Sequence, residues 1–275
     1  MKTGDVFGRI NELDEASVEK IIQRLEFRDR HPTFTRWRET YLDKLPIETA
    51  SRILDAGCGT GVVTRAVAKR TAVKCQVVGS DYSPALIDAA RQQTRELKLD
   101  DQIDFQINDI HSLNFEDGYF DIVIAHTVIT HVANPEVAVK ELRRVVKPSG
   151  IVAIFDGDYA SLTFAYPDDE FAKQFEDVFL RVVVNNPRVI RNLPQNLVKV
   201  GLEIMDITSY VLAEVGTSQY WMSAIEAFMP MIARSALLSE DKLNDWLAWQ
   251  RQAVETGQFF AASNYYTYIT KRLDD

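Results

Sequence analysis

Only two cysteines, Cys58 and Cys75, occur in 275 residues, and no C-x-x-C pair is present to hold zinc. A disulfide framework therefore has no basis here, nor does a cysteine-built metal site. Residues 1–9 lack an apolar leader core, and no apolar run reaches the length of a membrane span. These absences read as a cytoplasmic chain with no membrane partner. Basic residues are in deficit, 31 Lys and Arg against 40 Asp and Glu, for a formal charge of −9. Neutralising phosphates needs a positive face, so the deficit argues against a nucleic-acid partner. Arg24, Arg28, Arg30, Arg36 and Arg38 do cluster early, but Glu26, Asp29 and Glu39 interrupt them. That segment reads as a solvated helix face first and a phosphate site second. Glycine is sparse at 12 residues, proline at 9, and no repeat or low-complexity stretch is present. What remains is ordinary globular chain, 46% hydrophobic and 26% charged, long enough for one elaborated α/β domain.

Three of the scarce glycines stand together. Ile53-Leu54-Asp55-Ala56 reads as a strand end, Gly57-Cys58-Gly59-Thr60-Gly61 as a turn, and Val62 to Lys69 as a helix. Glycines at such a turn allow tight backbone angles and close approach of a ligand to the main chain. A dinucleotide fingerprint would read G-x-G-x-x-G, but the position three after Gly59 is Val62. A second apolar strand, Val77-Val78-Gly79-Ser80, ends in Asp81, followed by Tyr82 and then by Ser83-Pro84 as N-cap and first helical residue. A carboxylate at that tip suits ribose hydroxyls, and an NAD enzyme would use it as well. A third strand, Phe105-Gln106-Ile107-Asn108, also ends in an acid, Asp109, with Ile110 next. A fourth runs from Phe120 to His126, and Leu142 to Gly150 precedes a fifth at Ile151–Phe155.

In that order and spacing, these segments resemble the class I S-adenosylmethionine-dependent methyltransferases, specifically the ubiquinone/menaquinone-biosynthesis-like, "type 11" small-molecule enzymes. The likeness is dense over residues 50–157 and fades outside. It implies S-adenosylmethionine as cofactor, with Asp55 as the acid of the first motif and Gly57, Cys58, Gly59 and Gly61 forming the turn around it. It further implies that Asp81 and Tyr82 lie at the ribose, that Asp109 meets the adenine amino group with Asn108 and Ile110 alongside, and that His126 lines the cofactor site. Asp109 and the glycine spacing speak against an NAD oxidoreductase. The implied activity is methyl transfer to O, N or C of a small, apolar or aromatic acceptor. The alternatives are a protein or RNA methyltransferase, which the acidic balance disfavours, and a non-catalytic binding protein.

The alternation of strands near 52–56, 75–80, 103–107, 120–125 and 150–156 with helical patterns predicts a parallel Rossmann-like sheet covered on both faces, seven-stranded by resemblance. Residues 1–46 read as a helical cover divided at Pro32, 47–160 as the cofactor-binding core, and 161–275 as cap helices plus two further strands of the same sheet. In that last segment Asp168–Val184 reads as an amphipathic helix and Asn196–Val200 as a short one. A helical insertion over 217–255, interrupted at Pro230, lies between the two strands. Its stripe of Tyr220, Trp221, Ile225, Phe228, Met229 and Ile232 is expected to roof an acceptor pocket. Among candidates for chemistry, His131 is either a general base or a hydrogen-bonding tie. Asp156 and Asp158, around Gly157, are solvated turn residues, attractors of a substrate amine, or, least favoured, metal ligands. Asn185-Asn186-Pro187 only loosely matches an amide-methyltransferase signature and is set aside.

Overall fold

The computed structural model describes residues 5–71 and 74–274, so residues 1–4 of the leader reading lie outside the described part. A 3-10 turn at Phe7–Glu12 leads into α1 (Glu15–Arg30), whose first turn is capped by the Asp14 side chain accepting from Ser17 N. His31 breaks the helix and Pro32 starts α2 (Pro32–Leu42), a position where the missing N–H costs nothing. The core then alternates: β1 (Arg52–Ala56), α3 (Val62–Ala68), β2 (Gln76–Asp81), α4 (Pro84–Glu96), β3 (Ile103–Ile107), β4 (Phe120–His126), α5 (Pro135–Val145) and β5 (Val146–Phe164). Ser83 and Asn134 cap α4 and α5 with their side-chain oxygens, as their spacing predicts. There follow α6 (Asp169–Val183), α7 (Val189–Lys199), β6 (Leu202–Gly216), α8 (Tyr220–Ser235), α9 (Glu240–Glu255) and β7 (Phe259–Arg272).

The seven strands form one sheet in the order β3-β2-β1-β4-β5-β7-β6, with β7 antiparallel to both neighbours and the other pairs parallel. Strand order runs outward in one direction from β1 to β3 and in the other from β4, so a crevice opens beyond the carboxyl ends of β1 and β4. The sheet separates two apolar clusters. One holds residues of α5 and α7; the other holds residues of α1–α4, α6, α8 and α9. Among the described residues no helix is long and apolar enough to cross a membrane.

Three elements differ from their sequence reading. α7 begins at Val189, seven residues before the expected start, and runs through Pro194. The proline ring removes the N–H that would bond the carbonyl four residues back, and Tyr268 Oη donates to that carbonyl, Ile190 O, instead (3.3 Å). β5 does not end at Phe155. It continues past Gly157 to Phe164 because β7 pairs with it from Ile151↔Lys271 to Phe164↔Ala261. Pro230, for its part, does not divide α8.

Candidate active site

The glycine turn after β1 is built by the backbone. Gly57 N and Cys58 N both donate to Ser80 O, at 2.7 and 2.9 Å. Gly57 has φ +75°, and a Cβ there would meet Val128 Cγ2 at 2.4 Å, so both the angle and the space demand glycine. Around this turn, beyond the ends of β1 to β4, lies a cavity of about 370 Å³. It brings together Asp55, Gly57, Cys58, Gly59, Asp81, Tyr82, Asn108, Asp109, Ile110, His126 and His131. Two expected site residues do not line it. Gly61 is the N-cap of α3, and a Cβ there would strike the Phe105 ring at 2.8 Å, so its place is helix-to-strand packing. Asp156 lies buried, its oxygens taken by Thr130 N (3.0 Å), Thr130 Oγ1 (2.9 Å) and Gly157 N (2.8 Å). Asp158 is also buried and receives Arg191 Nε at 2.9 and 3.0 Å. The solvated-turn reading of this pair fails because β5 carries on through it.

Four aspartates line the cavity; Asp29 is paired with Arg38, and Asp55, Asp81 and Asp109 stand in different electrostatic states. Asp55 accepts from Thr64 Oγ1 on Oδ2 (2.6 Å), while its Oδ1 is buried with no partner among the described residues. Burial outweighs that bond and, with the neighbouring charge of Asp81, pushes the carboxyl up to about 7. Asp81 is also raised by burial, but less freely, because Ser83 N (3.0 Å) and Gly59 N (2.9 Å) bond its two oxygens. Asp109 is half-exposed in the cavity mouth. Burial pushes it up, but the bonds from His111 N (2.9 Å) and Nδ1 (2.6 Å) outweigh that and hold it below the ordinary carboxylate range.

The histidines divide just as clearly. His126 stacks on Phe155 with ring centroids 4.5 Å apart and meets Tyr41 Oη at Nδ1 (2.9 Å). Burial, with the charges of Arg28 and Arg38, drives its pKa well down, so it stays neutral. The Tyr41 phenol, raised by its own burial, keeps its proton and donates it. His131 instead has Asp5 Oδ2 at 2.5 Å from Nδ1. A carboxylate only accepts, which fixes the ring proton on Nδ1 and leaves Nε2 as the acceptor. Asp5 is itself anchored by Phe7 N (2.8 Å) and Asn185 N (3.1 Å), and Asn185 Nδ2 donates to His131 O (2.7 Å). Between the two histidines, Thr127 holds φ +53°, unfavourable for a β-branched residue; its N donates to Phe155 O (2.6 Å) and its Oγ1 accepts from Arg28 Nη2 (2.8 Å).

Sequence reasoning missed the covering residues. Phe7, Gly8, Leu25, Arg28, Phe34 and Asn185 all line the cavity, from segments far from the glycine turn. Asn185, from the tripeptide set aside, is there by tertiary folding alone. Arg24, Arg28 and Arg38 do not form a solvated face: Arg38 is 9% exposed, and the other two are turned inward beneath aromatic rings. α8 does not roof the cavity either. Its Tyr220 packs on Phe34 (4.8 Å between centroids), one layer behind the wall that Phe34 makes. His111, the partner of Asp109 and, through Nε2, of Asn134 N (3.1 Å), gave no signal beyond following a marked acid.

Residues 54–154 match a family of methyltransferase domains. An uncharacterised 37.1 kDa protein encoded in a transposon of Streptomyces fradiae is 31% identical over 168 residues, 61% of this chain and 48% of that protein. A demethylmenaquinone methyltransferase of Lactobacillus johnsonii is 32% identical over 120 residues, 44% of this chain and 49% of that one. This chain thus spans about half the length of these curated relatives. In fold it is similar to the crystal structure of a methyltransferase from Bacillus halodurans C-125, with a TM-score of 0.61 at 15% identity, covering 86% of this chain and 99% of that one.

Proposed function

We propose that this chain, whose residues 54–154 match a family of methyltransferase domains, is a class I S-adenosylmethionine-dependent methyltransferase that moves a methyl group from that cofactor to O, N or C of a small, apolar or aromatic acceptor. The observation that carries the reading is Asp55 Oδ1, a buried carboxylate oxygen without a partner among the described residues, on a side chain at the wall of the cavity. A buried acceptor left unpaired is costly, and a cationic ligand repays that cost. S-adenosylmethionine carries a sulfonium, an ammonium and one carboxylate, a net cation that fits a cavity lined by four aspartates and two arginines. The residues to hold it are Asp55 and the Gly57–Gly59 backbone at the amino-acid end, Asp81 and Tyr82 at the ribose, and Asn108, Asp109 and Ile110 at the adenine.

When bound, the cofactor supplies a methyl carbon made electrophilic by positively charged sulfur. The chain's own part is positioning, exclusion of water and management of one proton. Phe7 and Phe34 close the cavity with apolar surface. His126, neutral and tied to Tyr41, is a fixed wall. His131, with Nδ1 committed to Asp5, offers Nε2 to take the proton of a hydroxyl acceptor as its oxygen attacks, or to deprotonate an ammonium acceptor first so that the freed lone pair can attack. Calorimetric titration with S-adenosylmethionine, S-adenosylhomocysteine and NAD tests the reading. Micromolar binding of the two sulfur ligands and none of NAD is the expected result. Binding of NAD alone, or of nothing, sinks it.

A further inference from the structure

Arg28 lines the cavity next to Thr127, and among the described residues its one side-chain bond is the Nη2 contact to Thr127 Oγ1. Among the described residues, no carboxylate oxygen comes within the 4.0 Å of an ion pair. The contrast lies in the same wall. Arg38 also lines the cavity, and it is paired with Asp29 and with Glu39 (3.1 Å). Acids are not scarce in this chain, 40 against 31 bases, so leaving Arg28 unmatched is a feature of this place and not of composition.

One helical turn earlier stands a second such cation. Arg24 lies over the Tyr220 ring (4.8 Å) and donates from Nη1 to Ser223 Oγ (2.9 Å), again with no carboxylate partner among the described residues. Burial, and the like charge of Arg28, lower its pKa from the ordinary value. Two inward arginines four residues apart repel each other, and a partly buried charge without a counter-ion is costly. A phenol lies one layer behind. Tyr265, outside the cavity lining, is fully buried with the phenols of Tyr159 and Tyr220 as its neighbours. It packs on Phe34 (5.5 Å between centroids), the ring that Arg28 overlies at 5.9 Å.

We propose that this corner of the cavity is an oxyanion subsite, in which Arg28, backed by Arg24, binds a carboxylate or phosphate group carried by the methyl acceptor. The identification of the ligand as the acceptor rests on the function proposed above; the anion site itself does not. A guanidinium presents five N–H donors in a planar fork, and Arg28 spends one on Thr127, which leaves the others for a bidentate contact. That contact also aims the fork, since Thr127 is itself held in place by its N–H bond to Phe155 O. The subsite lies just past β4, beside the segment that ends at His131. An acceptor anchored there by its anion therefore presents its other end to the interior of the cavity.

The test uses the intact protein, with and without saturating S-adenosylhomocysteine, titrated with benzoate, phenyl phosphate and the neutral isostere benzamide. At least one anion should bind about tenfold or more tighter than benzamide, and the stronger of the two tells carboxylate from phosphate. Arg28→Met should abolish that advantage, and Arg28→Lys should keep part of it. Both variants should melt near the parent and bind S-adenosylhomocysteine within about twofold of it. Equal binding of anion and amide in both forms overturns the proposal. So does an Arg28→Met protein that loses S-adenosylhomocysteine affinity while its anion preference survives, since Arg28 then serves the cofactor's own carboxylate. If the parent ignores S-adenosylhomocysteine, the cofactor reading fails separately, and the anion preference of the free protein still decides the subsite.

Discussion

Asp55 ties ligand binding to protons. Its folded pKa, about 7, stands above the ordinary value of 3.8, so the folded ligand-free protein holds a proton there that the unfolded chain releases earlier. This group's contribution to stability is therefore complete below pH 3.8, declines as pH rises toward 7, and changes no further above that. A cationic ligand beside Oδ1 favours the ionised form and expels the proton. Affinity for S-adenosylmethionine should thus rise about tenfold between pH 5.5 and 8 and level off near the top of that window. Calorimetry in buffers of different ionisation enthalpy should find a proton released below pH 7, and Asp55→Asn should flatten both trends. A pH-independent parent would refute the assignment. At this scale the sequence was readable where function is local: Asp55, Asp81 and Asp109 each stand at or just past the end of a strand, and strand ends converge in a parallel sheet. Arg28 and Asp5 were not readable, because their significance lies in partners about a hundred residues away, Thr127 and His131. Charge spacing on α1 cannot reveal which side the helix buries.

The elements follow local signals until tertiary pairing overrules them. Gly157 looks like a turn and Pro194 like a break, yet β7 extends β5 through the first, and Tyr268 satisfies the carbonyl freed by the second. The helices of the long insertion were legible as helices, but not where they pack. Trp246 of α9 is fully buried and stacks on Phe175 of α6 at 3.6 Å between centroids, and Trp221 of α8 meets the same layer through Phe164 (5.8 Å). This layer lies behind the cavity wall, so its role is to stiffen the cover and not to touch a ligand. Trp246→Ala should cost about 3–5 kcal/mol, read by chemical unfolding, while cofactor affinity of the folded fraction stays within about twofold. A variant of parental stability would contradict the packing.

Across the whole molecule the site is assembled from its margins. A buried two-bond ion pair, Arg65 Nη2 to Glu26 (2.9 and 3.1 Å), fastens α1 to α3 just behind the glycine turn. The segment before α1 is held by Tyr82, whose Oη donates to Phe7 O (2.8 Å) and accepts from Ile10 N (3.2 Å). Removing residues 1–12 should therefore speed cofactor release by about tenfold or more in stopped-flow measurement while leaving the melting transition cooperative. An unchanged release rate would mean that this segment does not gate the cavity. The sheet order has a consequence for how the protein is made. β7 is the seventh strand in sequence but lies between β5 and β6, bonded to both along nearly its full length. Until residues 259–272 leave the ribosome, a growing chain carries two open strand edges facing an empty slot. Synthesis thus passes through a stage in which the cofactor half can be complete while the sheet still invites foreign strands, and a chaperone would find its client there.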